Sequence, residues 1–285
     1  MIVITGATGA LNGATVDHLL ERVPAREIAV AVRDPARAQR FADQGVEVRR
    51  ADYADPASLP LAFDGADQLL LVSASDPGVD PIPLHRQAVD AAVQAGVGRV
   101  LYTSHQGANP DSPFIPARNH AATERLLAES GLAWTALRNG FYAHSLGWLL
   151  GRWRDTGTIA VPADGPVSWT AREDSAEAAA VILASRGAYD GPTTLTASSA
   201  PTFQDIAVMA GEIAGQTVTC EDVGEQAWLN AQIGAGQDER LARFTLGIFQ
   251  AANQGMFATV DPLLATLLGR EPLTIADVLF QPVAR

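Results

Sequence analysis

No lysine occurs anywhere in this 285-residue sequence; all 20 basic residues are arginine. That absence excludes a Schiff-base or pyridoxal-phosphate lysine and a Walker-type lysine on nucleotide phosphates. It also excludes the Tyr-x-x-x-Lys pair with which many dehydrogenases polarise a carbonyl. Arginine-rich codon usage in a GC-rich genome accounts for the bias, and the consequences for mechanism hold whatever its origin. Cysteine is nearly absent too: Cys220 stands alone, so no internal disulfide and no cysteine metal cluster can form. The five histidines show no metal-ligand spacing, and no Gly-x-Ser-x-Gly elbow is present. No apolar run approaches the roughly 18–20 residues that cross a bilayer. With 32 acidic against 20 basic side chains the net charge is −12, which argues against direct binding to a phosphate backbone. Met1-Ile2-Val3-Ile4 run straight into a motif and leave no room for a signal peptide. A cytoplasmic chain without a membrane segment is expected.

What is present is an alternation. The length suits one large domain, or a core with an appended lobe, and can bury a core without staples. Ile2–Thr5 reads as a strand, and Val16, Leu19, Leu20 and Val23 recur on one helical face after it. Further strands are expected at Ile28–Val32, Val46–Arg49, Leu69–Val72, Val100–Thr103 and Trp134–Leu137. Helices are expected from Leu84 to Ala95, stopping at Gly96, and from Ala117 to Ser130, stopping at Gly131. Such repetition predicts an α/β fold: a Rossmann-type doubly wound parallel sheet covered on both faces. Beyond Arg138 the pattern loosens. Asp174-Ser175-Ala176-Glu177 reads as a capping box opening an Ala-rich helix. Thr193–Thr196 reads as a late strand that could return to the sheet, and Thr202–Ala214 as a helix. The remainder, through Gly234-Ala235-Gly236 to Pro282, has no clear period. The expected division is a dinucleotide-binding core over 1–140 and, over 141–285, mostly a smaller substrate lobe above the sheet's carboxyl edge.

Gly6-Ala7-Thr8-Gly9-Ala10-Leu11-Asn12-Gly13 lies between the first strand and first helix, where a dinucleotide fingerprint acts. Its glycines let backbone amides approach a pyrophosphate at the helix N-terminus, so Gly6, Thr8, Gly9, Ala10 and Leu11 are candidate cofactor contacts. Arg33, just past the second strand, stands where an acidic residue would bind the ribose of NAD; an arginine suits the 2′-phosphate of NADP, or is simply a surface cation. NADP is therefore expected, with NAD left open. Asp52, with Tyr53, follows the third strand and could reach the adenine or cap a turn; Ser73 and Ala74 end the fourth strand on the expected cofactor path.

These residues, with Val32-Arg33-Asp34-Pro35-Ala36-Arg37-Ala38, Tyr102-Thr103-Ser104, His120-Ala121-Ala122-Thr123-Glu124 and Arg138-Asn139-Gly140-Phe141-Tyr142, resemble the NmrA-like atypical short-chain dehydrogenases, and within them type-2 NAD(P)H:quinone oxidoreductases. The resemblance covers the chain and is strongest to about Ser185. It implies a Rossmann core, NAD(P)H binding and a substrate cleft under a C-terminal lobe. Two departures stand out: Asn12 occupies the third glycine's place, with Gly13 after it, and the final stretch matches loosely.

Ordinary relatives use a Ser, a Tyr and a Lys. Aligned on the Ala117 helix, Pro116 occupies the tyrosine's place and His120 the lysine's, while Ser104 keeps the serine's. An alcohol-dehydrogenase mechanism is thus disfavoured. A quinone removes the difficulty, because hydride reduction aromatises it and the protein need only position the ring and offer hydrogen bonds. Ser104 and His120 are the candidate catalytic pair; His120 could instead pair with Glu124 on its helix face. His105, in a Gly/Asn/Pro loop, is expected to be exposed. Asn139, Phe141, Tyr142, His144 and Trp148 are candidate substrate contacts, with Trp169 as a further flat wall or as core between lobes. The functional expectation is an NAD(P)H-dependent reductase of a quinone or similar flat aromatic carbonyl compound, such as a polyketide quinone prepared for hydroxylation. The alternative is a redox-sensing dinucleotide-binding regulator without turnover; an epimerase is weaker, since it too wants Tyr and Lys. A homodimer or a protein partner is left open.

Overall fold

The first six strands are β1 (Ile2–Thr5), β2 (Ile28–Val32), β3 (Glu47–Arg50), β4 (Gln68–Leu71), β5 (Arg99–His105) and β6 (Ala133–Asn139). Then follow β7 (Phe141–Tyr142), β8 (Thr158–Val161), β9 (Trp169–Thr170), β10 (Gly191–Leu195) and β11 (Thr219–Asp222). They are seen in a computed structural model that describes residues 1–74, 76 and 78–279, so Pro282 lies outside the described residues. The main sheet has seven strands in the order β10-β6-β5-β4-β1-β2-β3, every pair parallel. Strands β1, β2 and β4 are buried along their whole length, as a sheet covered on both faces requires. Helices Ala10–Leu20 and Arg172–Ala184 cover one face through Val16, Leu19, Ala179 and Leu183. Helix Pro81–Gln94 and its neighbours cover the other through Leu59, Phe63, Ala88, Ala92 and Leu127.

Because β1 pairs with β2 on one side and β4 on the other, the chain reverses its direction of sheet growth there. That opens the crevice in which open α/β sheets bind ligands. The loops after β1, β2, β4, β5 and β6 all emerge on this edge, and a separate apolar cluster caps it. Phe114, Phe141, Trp169, Phe203, Phe249 and Phe257 are among its large rings.

Most element ends differ from the sequence reading by one or two residues. Helix Pro81–Gln94 starts earlier than Leu84 because Asp80 caps it, accepting from Ile82 N at 3.0 Å, with Pro81 at the position where a missing N–H costs nothing. Helix Ala10–Leu20 stops before Val23. β10 does return to the sheet, pairing in parallel with β6. The capping box expected at Asp174 is absent: helix Arg172–Ala184 opens after Ala171, with no side-chain cap. Asp174 is instead fully buried and accepts from Leu273 N, with Arg270 at 2.8 Å. A reciprocal capping box does form at Thr202 and Asp205, opening helix Phe203–Ala214.

Gly140 joins β6 to β7 and donates its N–H to Leu195 O at 2.8 Å. A Cβ here would stand 2.0 Å from Thr170 Oγ1 and 2.8 Å from Ser168 O. Thr170 in turn accepts from Ala197 N, so this close approach holds β9 and the chain after β10 together. Gly140→Ala is expected to cost about 2 kcal/mol or more through overpacking, read as a lower urea midpoint. Gly147→Ala, whose Cβ would meet nothing within 4 Å, is expected to be neutral or stabilising by up to about 1 kcal/mol. Equal midpoints for the two variants would contradict the close packing at Gly140.

Candidate active site

The turn after β1 presents Thr8, Gly9 and Ala10 to solvent and Leu11 half-buried, at the head of helix Ala10–Leu20. Gly6 N donates to Ala31 O and Gly9 N to Gly6 O, fixing the turn. Asn12 is 1% exposed and donates Nδ2 to Thr5 O at 2.8 Å, tying the helix to the end of β1. A Cβ on Gly13 would lie 2.9 Å from Ala7 O. The close helix-to-turn approach of the fingerprint is thus made at Gly13, and Asn12 points inward without disturbing the exposed amides. Such amides, unpaired at a helix N-terminus, suit an anion.

Arg33 projects from the end of β2 with two-thirds of its side chain exposed (66%) and reaches Asp76 at 3.1 Å. Asp52 Oδ1 accepts from Ala54 N at 3.0 Å, the turn-capping alternative. Tyr53 turns inward: its buried hydroxyl lies 2.7 Å from Thr5 Oγ1 and donates to Val72 O, and burial raises its pKa. It braces β1 against the exit of β4.

That exit is held by groups the sequence reading did not assign. Ser73 N donates to Thr103 Oγ1, and Ala74 N donates to His85 Nε2, both at 2.8 Å. His85 is wholly buried, and desolvation lowers its pKa to about 4. The neutral ring, having accepted at Nε2, carries its proton on Nδ1, 2.7 Å from Thr123 Oγ1. Beside it, the Tyr102 hydroxyl donates to Ser73 Oγ at 3.2 Å and lies 2.9 Å from His120 Nδ1. A phenol has one hydrogen; with it given to Ser73, His120 donates from Nδ1 and presents Nε2 as an acceptor. Burial and the neighbouring His105 and His85 hold His120 well below the usual imidazole pKa.

His120 is therefore not paired with Glu124. Glu124 receives the Ser104 hydroxyl at 2.6 Å and Arg138 at 2.6 and 2.9 Å. Ser104 is 4% exposed, and its only hydrogen is committed to a buried carboxylate, so it positions Glu124 and has no hydrogen left for an oxyanion. Tyr102 and Ser104 alternate on one face of β5, and His120 and Glu124 follow at helical spacing. That pairing of periods was the available signal for Tyr102; for His85 there was none.

An aromatic cluster centres on Phe141, 5.3 Å from the rings of both His105 and Trp169 and 5.4 Å from Phe257. His105 is not exposed. As the last residue of β5 it is inside the cluster, stacked on His120 with ring centres 6.0 Å apart and planes at 18°. Desolvation alone takes its pKa to about 4. Asn139 pairs in register with His105, is 3% exposed and donates to the Tyr142 hydroxyl. His144 lies 3.4 Å from Glu173. Trp148, at 52% exposure, stands outside this group, whereas Trp169 is 1% exposed and packs as core between Phe141 and Phe203. Phe114, Phe257 and Gln106, which donates to Phe257 O, complete the cluster; the loosely patterned C-terminal stretch gave no way to place Phe257. Among the described residues there is no metal-binding cluster and no helix long and apolar enough to cross a membrane.

Several known oxidoreductases resemble this chain over nearly its whole length. Quinone oxidoreductase 2 of Escherichia coli is 35% identical over 97% of this chain and 96% of its own. Its crystal structure with NADPH superposes with a TM-score of 0.89, covering 97% of this chain and 98% of that one. The Citrobacter triphenylmethane reductase complexed with NADP(H) is 33% identical, with a TM-score of 0.87 over 98% of this chain and 99% of its own. An NAD(P)H azoreductase of Xenophilus azovorans is 28% identical over 97% of this chain and 96% of its own. The NmrA-like family matches residues 1–264. With the Rossmann-type sheet and the whole-chain likeness to these oxidoreductases, the chain belongs to the NmrA-like family.

Proposed function

We propose that this protein is an NAD(P)H-dependent reductase acting on a quinone or similar flat aromatic carbonyl compound, NADP(H) being its cofactor and a polyketide quinone prepared for hydroxylation its natural kind of substrate. The observation that carries the reading is the site left where a Tyr–Lys pair would stand. Pro116 lies in the first turn of its helix, and His120 is neutral at the border of an aromatic recess. Such a site can align a ring and leave the driving force to aromatisation.

The residues fit a dinucleotide. Thr8, Gly9 and Ala10 are exposed at the head of the first helix, where a pyrophosphate would sit, and Arg33 pairs with an exposed carboxylate, Asp76, that it could exchange for a 2′-phosphate. An exposed pair of this kind contributes little by itself. Bound NADPH supplies the hydride. His120, presenting Nε2 as an acceptor, orients the ribose or carboxamide hydrogens, and the Tyr102–Ser73 chain behind it keeps that tautomer. Phe141, Tyr142, Asn139 and His144 flank the substrate, and water supplies the proton that completes the hydroquinone. In this reading residues 1–140 hold the cofactor, and most of 141–285 covers the substrate. A protein of this kind works in the cytoplasm, where reduced nicotinamide is available. Its net charge of −12 favours protein over nucleic acid as any macromolecular partner.

Mixing the protein with NADPH and a panel of quinones, and following the nicotinamide absorbance, is expected to show turnover well above the uncatalysed rate. Tight binding of NADPH and NADP⁺ with no turnover across the panel would sink the reductase and leave the dinucleotide sensor. Arg33→Ser is expected to raise the KM for NADPH about tenfold, equivalent to about 1.4 kcal/mol, and to leave that for NADH unchanged. An equal effect on both cofactors would remove Arg33 from 2′-phosphate recognition. Since His120 stays neutral far below the ordinary imidazole pKa, kcat should be flat from about pH 8 to about pH 6. An inflection near 6.5 that disappears in His120→Asn would show that His120 titrates normally and is not held in the neutral form.

A further inference from the structure

The proposed reduction leaves a negative oxygen on the product, yet neither residue first expected to face it can do so. Ser104 has given its hydrogen to Glu124, and His120 turns an acceptor outward. The structure holds another candidate. His105 Nδ1 accepts from Gly107 N at 3.0 Å. A neutral ring that accepts at Nδ1 carries its hydrogen on Nε2. That Nε2 is buried with no hydrogen-bond partner among the described residues. A buried, unanswered N–H costs on the order of 1–3 kcal/mol, and such a group in a native site calls for a reason.

Its surroundings supply one. The ring is walled edge-on by Phe141 at 5.3 Å and Phe257 at 5.2 Å, and is stacked face-on against His120 at 6.0 Å. In the reductase reading His120 faces the cofactor, and His105, stacked on it, then borders the substrate. Gln106 anchors the strand end, donating its backbone N–H to Asn139 O at 2.9 Å and its side chain to Phe257 O at 3.2 Å. The donor is therefore fixed in direction, kept from water and set in an apolar wall, the conditions under which one hydrogen bond to a developing oxyanion counts most.

We propose that His105 Nε2–H is the hydrogen-bond donor to the substrate's carbonyl oxygen, making this recess selective for acceptors whose reduction places negative charge on oxygen. This rests on the reductase reading. The hydride of the reduced nicotinamide, which is thereby oxidised, ends as the O–H of one carbonyl; both carbonyl π bonds are lost as the ring aromatises, and the other oxygen, now the hydroquinonate anion, is held by His105. A proton from water then gives the hydroquinone, and His105 ends with the hydrogen it began with.

The test uses the full chain and two variants: His105→Leu, which fills the apolar wall without a donor, and His105→Gln, which keeps an N–H. With 1,4-naphthoquinone, His105→Leu should lose about 100-fold in kcat with a smaller change in KM, and His105→Gln should recover part of the loss. Calorimetric titration of 4-nitrophenolate into the NADP⁺-saturated protein should show at least about tenfold weaker binding for His105→Leu, while the Kd for NADPH stays the same in all three proteins. If wild type reduces no quinone, the reductase reading fails by itself and phenolate binding still decides the role of His105. Unchanged phenolate affinity in His105→Leu, or no phenolate binding by wild type, would overturn the assignment. So would a parallel loss of NADPH affinity in both variants, which would make His105 a packing residue.

Discussion

Around the carboxyl ends of β4 and β5 stand three largely desolvated imidazoles: His85, fully buried, and His105 and His120, half-buried. Among the described residues no carboxylate offsets the charge that protonating His105 or His120 would create, and His105 and His85 oppose protonation of His120. Each ring is consequently neutral and offers one donor and one acceptor. That restriction propagates outward. Ala74 N must find an acceptor at His85 and Gly107 N at His105, and Tyr102 must take what His120 gives. The loops that border the crevice are held by these matched bonds, so the paths of residues 73–74 and 105–107 follow from keeping three histidines neutral.

Neutrality also decides what chemistry the crevice can host. A Tyr–Lys pair works by lowering the pKa of a phenol so that it can give its proton to an unactivated carbonyl. Here burial raises the pKa of Tyr102, its hydrogen points at Ser73 and no cation stands beside it. The charged groups nearby are consumed by each other: half-buried Arg138 pairs with buried Glu124, with Ser104 attached. Removing Arg138 would strand the buried Glu124 carboxylate, so the pair serves to hold β5 and β6 to helix Ile115–Glu129. What remains for a substrate is flat apolar surface and directional neutral dipoles, which suit an acceptor that brings its own driving force.

Much of this was legible in the amino-acid order. The strands β1, β2 and β10 and the glycine-rich turn declare themselves through local patterns that depend on neighbouring residues alone. The place of Arg33, directly past β2, is legible for the same reason. The failures share a cause. His105 looked exposed since it stands before Gly, Asn and Pro, yet Phe257, far away in sequence, closes over it. Asp174 looked like a cap because Glu177 follows at the right spacing, but Arg270 and Leu273 claim its carboxylate from the far end of the chain. Ser104 looked like a donor until Glu124 and Arg138 met beside it. In each case a contact distant in sequence outweighs local propensity, and the loosely patterned C-terminal lobe supplies two of the three.

The lysine-free composition takes on a physical meaning in this setting. A lysine at residue 120 would bring an ammonium group into a site already desolvated by Phe114, Phe141 and Phe257, next to His105 and with no free carboxylate. Burying such a charge without a partner costs several kcal/mol or forces its deprotonation. Histidine at the same place is compatible with the apolar wall because it can be neutral and still hydrogen-bond at both edges. The aromatic recess and the missing lysine are therefore one constraint seen from two sides. A site dry enough to grip a flat ring cannot keep an unpaired cation, and a site without that cation can reduce only those rings that stabilise the product themselves.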